Sequence, residues 1–253
     1  KRVLGIELMK LLLSNDDGVH AKGLTVLRQF CQQAGWDVQV IAPDRDRSGA
    51  SNSLTLTRPL SPLYLADGAI SIDGTPTDCV HLGLNTLCPY PPERVIAGIN
   101  AGPNLGDDVI YSGTVAAAMA GRFLDLPPLA ISLAGKHHYE TAAQVLMELL
   151  PKLHTLNLAP RTLLNINVPD VPYAELAGTE ITRLGHRQRS DNPVHAQNPR
   201  GKECYWINAQ GKGADAGPGT DFHAIAHNMV SITPIQVDMT GHESIDVLKE
   251  VLL

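Results

Sequence analysis

Cysteine is scarce and unpatterned in this chain of 253 residues: the four, Cys31, Cys79, Cys88 and Cys204, stand far apart and none forms CxxC. That argues against a zinc ribbon or a disulfide framework and suits reduced thiols in the cytoplasm. Positive charge is also short. Twenty Lys and Arg face 26 Asp and Glu, a net charge of −6, so nothing at the level of the whole chain invites a nucleic-acid polymer. No apolar run approaches the ~18 residues that a membrane span needs. Residues 1–8, interrupted by Gly5 and Glu7, lack the apolar centre of a signal peptide. We read them as an upstream extension, and residues 9–253 as one cytoplasmic domain without membrane contact.

Several catalytic signatures are missing too. There is no G-x-x-x-x-G-K-[ST], which disfavours a P-loop NTPase. No strand pattern runs into a full G-x-G-x-x-G; Gly211-Lys212-Gly213 comes nearest, with no helical pattern behind it. A dinucleotide-dependent dehydrogenase is therefore disfavoured. The absence of G-x-S-x-G argues against a serine hydrolase of that type. No internal repeat is visible.

What is present starts at Met9-Lys10-Leu11-Leu12-Leu13-Ser14-Asn15-Asp16-Asp17-Gly18. An apolar run stops at a small polar turn with two adjacent carboxylates, the signature of a buried parallel strand ending at a sheet edge. Residues 21–34 carry Leu24, Leu27, Phe30 and Cys31 at helical spacing, and 36–42 read as a second strand. Pro59, Pro62 and Asp67-Gly68 break 52–73 into hairpin material. Thr75-Pro76 opens a helix. Strands follow at 94–99, 129–133 and 162–168, and helices from 113 and over 139–150, where Pro151 is expected to end the second. This alternation predicts an α/β fold with a Rossmann-like, doubly wound, mostly parallel sheet over 9–168. Beyond Pro169 the pattern becomes short strands (179–184, 203–208, 229–235) and a final helix near 242–252, a C-terminal extension suited to oligomerisation.

The carboxyl ends of parallel strands are where open α/β sheets bind ligands. Three such ends deliver Asp16-Asp17, Ser48 and Asn100 to one edge. Two carboxylates, a hydroxyl and an amide carbonyl suit a hard divalent ion such as Mg²⁺ or Mn²⁺. Asn104 and the tract Ser112-Gly113-Thr114, just ahead of a helix, supply donors for an anion. Metal and anion sites on one edge point to phosphate-ester chemistry. Each piece also has a purely structural account. Asp16 and Asp17, or Ser112 and Thr114, are ordinary helix caps, 100–106 an ordinary tight loop, and Ser48 a surface residue. His20 lies near enough to Asp17 to be considered, whereas His137-His138 reads as an exposed helix start. The basic stretch 186–212, with Arg187, Arg189, Arg200, Lys202 and Lys212, is either a solvated loop or a flap over an anionic substrate.

Several tracts resemble the SurE family: 14–18, 42–51, 74–80, 98–106 and 111–115, then 164–169 and 230–234. The resemblance covers roughly 9–252. It implies a metal-dependent phosphomonoesterase, a nucleotidase acting on nucleoside 5′- and 3′-monophosphates, with possible action on short polyphosphate. It places one divalent metal per subunit on Asp16, Asp17, Ser48 and Asn100, with Asp16, Asp17 and Asn104 catalytic and Asn104, Ser112, Gly113 and Thr114 binding phosphate. It also implies a homodimer or homotetramer with C-terminal elements exchanged. A transferase or a non-catalytic nucleotide sensor on the same sheet stays open, separable by whether free phosphate appears.

Overall fold

The computed structural model describes residues 2–3, 6–7, 9–207 and 211–253, so half of the expected upstream extension lies outside the described residues. Residues 2–3 and 6–7 pair as a short antiparallel ribbon. Nine strands then build one sheet. In chain order they are β1 (Lys10–Ser14), β2 (Asp37–Pro43), β3 (Pro62–Tyr64), β4 (Ile70–Ile72), β5 (Arg94–Ala101), β6 (Leu129–Leu133), β7 (Thr162–Val168), β8 (Gly178–Ile181) and β9 (Met229–Gln236). Their spatial order is β8-β9-β7-β6-β5-β1-β2-β4-β3. From β7 to β4 all neighbours run parallel, while β9 is antiparallel to β7 and β3 antiparallel to β4. The sheet is doubly wound and mostly parallel.

Side-chain alternation along β1 shows how both faces are filled. Leu11 and Leu13 enter one apolar core with Leu24 and Leu27 of α1 (Lys22–Gln33) and Leu146 and Leu150 of α4 (Tyr139–Leu153). Leu12 enters the other, with Val80 of α2 (Pro76–Leu82) and Val115 of α3 (Gly113–Ala120). A strand buried on both faces needs an unbroken apolar run, which is why β1 reads Leu-Leu-Leu. The start of α2 is set by a capping box: Thr75 Oγ1 accepts from the Asp78 N–H, and the Asp78 carboxylate accepts from the Thr75 N–H.

Three boundaries differ from expectation. Helix α4 passes through Pro151 to Leu153, because a proline in the last turn removes one ladder bond while Leu150 and Leu153 stay buried. The 203–208 strand is Glu203–Trp206, paired with an unanticipated strand, Val194–Gln197; residue 208 lies outside the described residues. The late strand β9 is a member of the main sheet, with Val230, Ser231 and Ile232 buried, rather than an element apart from it. After the short helix α5 (Asp221–Ala226), the final helix α6 (His242–Leu252) forms as expected, and none of its residues is buried.

Candidate active site

Parallel register puts the ends of β1, β2 and β5 at one edge: Leu13 lies opposite Val40, and Ser14 opposite Ala97. After β1, Asn15 builds the turn. Its Nδ2 donates to Gly18 O at 2.9 Å and its Oδ1 accepts from Gly18 N at 3.2 Å. Asp16 follows, only 4% exposed. Its Oδ1 accepts from the Thr114 hydroxyl, and the Asp17 Oδ2 accepts the Ala101 N–H at 3.1 Å.

Burial pushes the Asp16 carboxyl up to about 6, with Thr114 opposing and the Asp17 charge reinforcing the shift. Burial also raises Asp17, partly offset by the Ala101 N–H. Lys136 also opposes the rise at Asp17, and no cation is among the leading influences on Asp16. Two adjacent, desolvated carboxylates without an ion-pair partner among the described residues form a cation-binding arrangement.

The loop after β2 is drawn to this turn by Arg47, whose backbone N donates to Asp16 O at 2.8 Å. Ser48 comes with it. Both its backbone N and its hydroxyl donate to Asp46 Oδ1, at 2.7 and 2.6 Å. On β5 the register against β6 shifts between Ala97 and Asn100. Gly98 sits there at φ 136°, and a Cβ on it would come within 2.2 Å of Ile131 O, so only glycine fits. Past the irregularity Asn100 rejoins the ladder opposite Ser132, at the end of the strand. Its Nδ2 donates to Gly102 O at 2.8 Å, leaving the carbonyl Oδ1 as an acceptor for a cation.

Asn104 is held from three sides. Its N–H donates to Asn167 Oδ1 at 2.8 Å, its C=O accepts from Asn165 and Asn167, and its Nδ2 donates to Ser132 Oγ at 2.8 Å. Ser112 caps α3, its Oγ accepting from Val115 N at 3.1 Å. The cap leaves the Ser112 hydroxyl proton to donate elsewhere, alongside the Gly113 and Thr114 N–H groups that a first helical turn cannot pair internally. A Cβ on Gly113 would lie 2.7 Å from the Asp16 Cβ and 2.8 Å from its Oδ2, so the missing side chain is what lets α3 abut the carboxylate.

These residues frame one open cleft of about 450 Å³ whose walls include Asp16, Ser48, Asn100, Asn104 and Ser112. Asp17 and Thr114 adjoin it through the bonds described. Thus the capping and turn-building roles that local sequence allowed are real for Ser112 and Asn15, and they coexist with placement at the cleft. His20 is exposed and is not among the lining residues. His137 and His138 open α4, each Nδ1 within 3.0 Å of the Asp170 carboxylate. Among the described residues no group of three His, Cys, Asp or Glu is arranged for a metal. A set of two carboxylates with Ser and Asn oxygens is a different donor class, suited to a hard cation.

Sequence reasoning missed Asn165, Asn167, Ser132, Asp46, Asp108 and Tyr111 as site residues, and it left Arg187 open between a solvated loop and a flap over an anionic substrate. One signal was available: Asn165 and Asn167 alternate on an otherwise apolar buried strand, where an amide must find a partner. Asp108, Tyr111 and Arg187 line the cleft only through tertiary contacts.

The family model "Survival protein SurE" matches residues 11–191. A protein of Coxiella burnetii named 5′-nucleotidase SurE is 57% identical over 242 residues, 95% of this chain and 93% of that one. A protein of the same name from Marinobacter nauticus is 55% identical over 244 residues, covering 96% and 95%. The crystal structure of the SurE protein from Aquifex aeolicus superposes with a TM-score of 0.83 at 38% identity, over 96% of this chain and 99% of that one. With a family match over most of its length, relatives above half identity and a solved structure of the same fold at 38% identity, this chain belongs to the SurE family.

Proposed function

We propose that this protein is a metal-dependent phosphomonoesterase, a nucleotidase that hydrolyses nucleoside 5′-monophosphates to nucleoside and phosphate. The same reading extends to 3′-monophosphates and to short polyphosphate. The observation that carries it is the meeting of Asp16, Asp17, Ser48 and Asn100 with the Asn104 and Ser112–Thr114 donors on one cleft. Full-length relatives named 5′-nucleotidase support it.

Asp16, Asp17, Ser48 and Asn100 would hold one Mg²⁺ or Mn²⁺. The raised carboxyls and the acceptor oxygen left on Asn100 fit that role. Such an ion supplies Lewis acidity toward a phosphoryl oxygen and makes water a better nucleophile. The chain's own groups do the rest. The Ser112 hydroxyl and the first N–H groups of α3 hold phosphoryl oxygens, and Asn104, pinned by Asn165 and Asn167, contributes its side chain without reorganising. Water is the preferred nucleophile, because Asp16 and Asp17 are committed as ligands and hydrogen-bond acceptors; a trapped phosphoaspartate would overturn that.

The C-terminal part of the single 9–253 domain we assign to a homodimer or homotetramer. On α6, Val247, Leu248, Val251 and Leu252 are all exposed, an apolar set that no described residue of its own chain covers. No described helix is long and apolar enough to cross a membrane, and the four thiols are free, which suits a cytoplasmic setting.

The test is phosphate release from nucleoside 5′- and 3′-monophosphates with Mn²⁺, Mg²⁺ or EDTA, for the native chain and Asp16→Asn. Metal-dependent release lost in the variant is expected. A folded native chain that releases no phosphate with either ion would refute the proposal.

A further inference from the structure

A dianionic phosphate entering this cleft meets Asp16 and Asp108 on its walls and Asp17 behind them. Among the lining residues Arg187 alone is cationic. It comes from the appended segment, and its delivery is built in. Buried Asp221 accepts the Gly106 N–H at 2.7 Å from the cleft loop and the Gly185 N–H at 2.9 Å from the chain leading to Arg187. The Arg187 N–H then donates to Asp107 at 2.8 Å. Its guanidinium lies 4.9 Å from the Phe222 ring centroid.

The guanidinium is fixed but not saturated. Nε donates to Asp108 at 2.9 Å, Nη2 donates to Asp108 at 2.6 Å, and Nη1 donates to Gly211 O at 3.0 Å. An arginine has five N–H donors. Two remain without an acceptor among the described residues, on a side chain facing a cleft that otherwise carries negative charge. We propose that Arg187 is a substrate-binding residue that donates to the phosphoryl group, with Asp108 and Asp221 as positioning residues that hold it at the cleft.

A planar guanidinium with its stem already packed gives up little freedom when it takes an anion, and its remaining donors match phosphate geometry. The alternative is that Arg187 and Asp108 are only a staple between the segment and the sheet. The two differ in what each deletion does. A staple is broken equally from either side, whereas a phosphate contact is lost in full only with the arginine and weakened in part when its positioning carboxylate goes.

This inference rests on the phosphatase reading for its substrate, but its test reads binding. Inorganic phosphate and a free nucleoside are titrated calorimetrically into the Mg²⁺-loaded full chain, for native protein, Arg187→Ala, Asp108→Ala and an exposed control, Arg189→Ala. Arg187→Ala is expected to weaken phosphate by about tenfold or more, the range of a charge-assisted hydrogen bond, with nucleoside affinity within about twofold. Asp108→Ala, which loosens the guanidinium but leaves its charge, should cost clearly less phosphate affinity than Arg187→Ala, and Arg189→Ala should keep phosphate affinity. If Arg187→Ala does not fold, Arg187→Lys replaces it, with a smaller loss of phosphate affinity expected. Unchanged phosphate affinity without the guanidinium, or equal losses in the Arg187 and Asp108 variants, would overturn the proposal. Phosphate release by the native chain, measured on the same samples, tests the phosphatase reading separately.

Discussion

Replacing Gly113 by alanine probes how Asp16 is held. In a helix without neighbours, alanine is favoured over glycine by up to ~1 kcal/mol. Here the new methyl would lie 2.7 Å from the Asp16 Cβ and 2.8 Å from Oδ2. Carbon atoms prefer ~3.5–4.0 Å, so the overlap is about 1 Å. Asp16 has little room to retreat, since its Oδ1 is bonded to Thr114 one residue further along α3 and its backbone carbonyl to Arg47. Overpacking of this kind costs about 1–3 kcal/mol and outweighs the helix preference. The expected result is a metal-free Tm lower by roughly 2–6 °C for a chain of this size. A carboxylate displaced by up to about 1 Å should lower metal affinity and kcat/KM by roughly 10- to 100-fold. Calorimetric melting, Mn²⁺ titration and phosphate release measure the three. Gly217→Ala, where a Cβ would meet nothing within 4 Å, serves as the control. A Gly113→Ala protein with native Tm and native Mn²⁺ affinity would refute the claim that this glycine sets the Asp16 position.

Two further outcomes follow from the same geometry. The Asp16 carboxyl is pushed up to about 6 in the folded chain, so its contribution to stability is greatest below its unfolded value and is lost as pH rises through about 6. Mn²⁺ should therefore raise Tm more at pH 7.5 than at pH 5, and Asp16→Asn should shrink that difference, leaving the smaller part carried by Asp17, in melting experiments. Asn167→Ala removes the acceptor of the Asn104 N–H and one of the two donors to its C=O, which Asn165 still serves, so one buried backbone N–H is left unpaired at about 1–3 kcal/mol. Its Tm should drop by several degrees and its kcat/KM by about tenfold or more; native values for both would remove Asn104 positioning from the account.

Much of this molecule was already determined by the order of its residues. A strand buried on both faces must read as an unbroken apolar run, so 10–14, 94–99, 129–133 and 162–168 declared themselves. Parallel strands joined by helices put their carboxyl ends on one edge, so Asp16, Asp17, Ser48 and Asn100 converge without any knowledge of distances. Tertiary structure alone decided the rest. It placed β9 antiparallel inside the main sheet, because alternating Val230 and Ile232 specify a buried face but not a partner strand. It also gave Asn165 and Asn167 their task, since a buried amide requires a partner without naming which one. Arg187 is the clearest case. In sequence it is one cation in a basic stretch 79 residues from Asp108, and only buried Asp221, bridging Gly106 and Gly185, brings it to the cleft. Local periodicity carries information over a few residues, while pairing between distant segments depends on which surfaces remain to be covered once the sheet has formed.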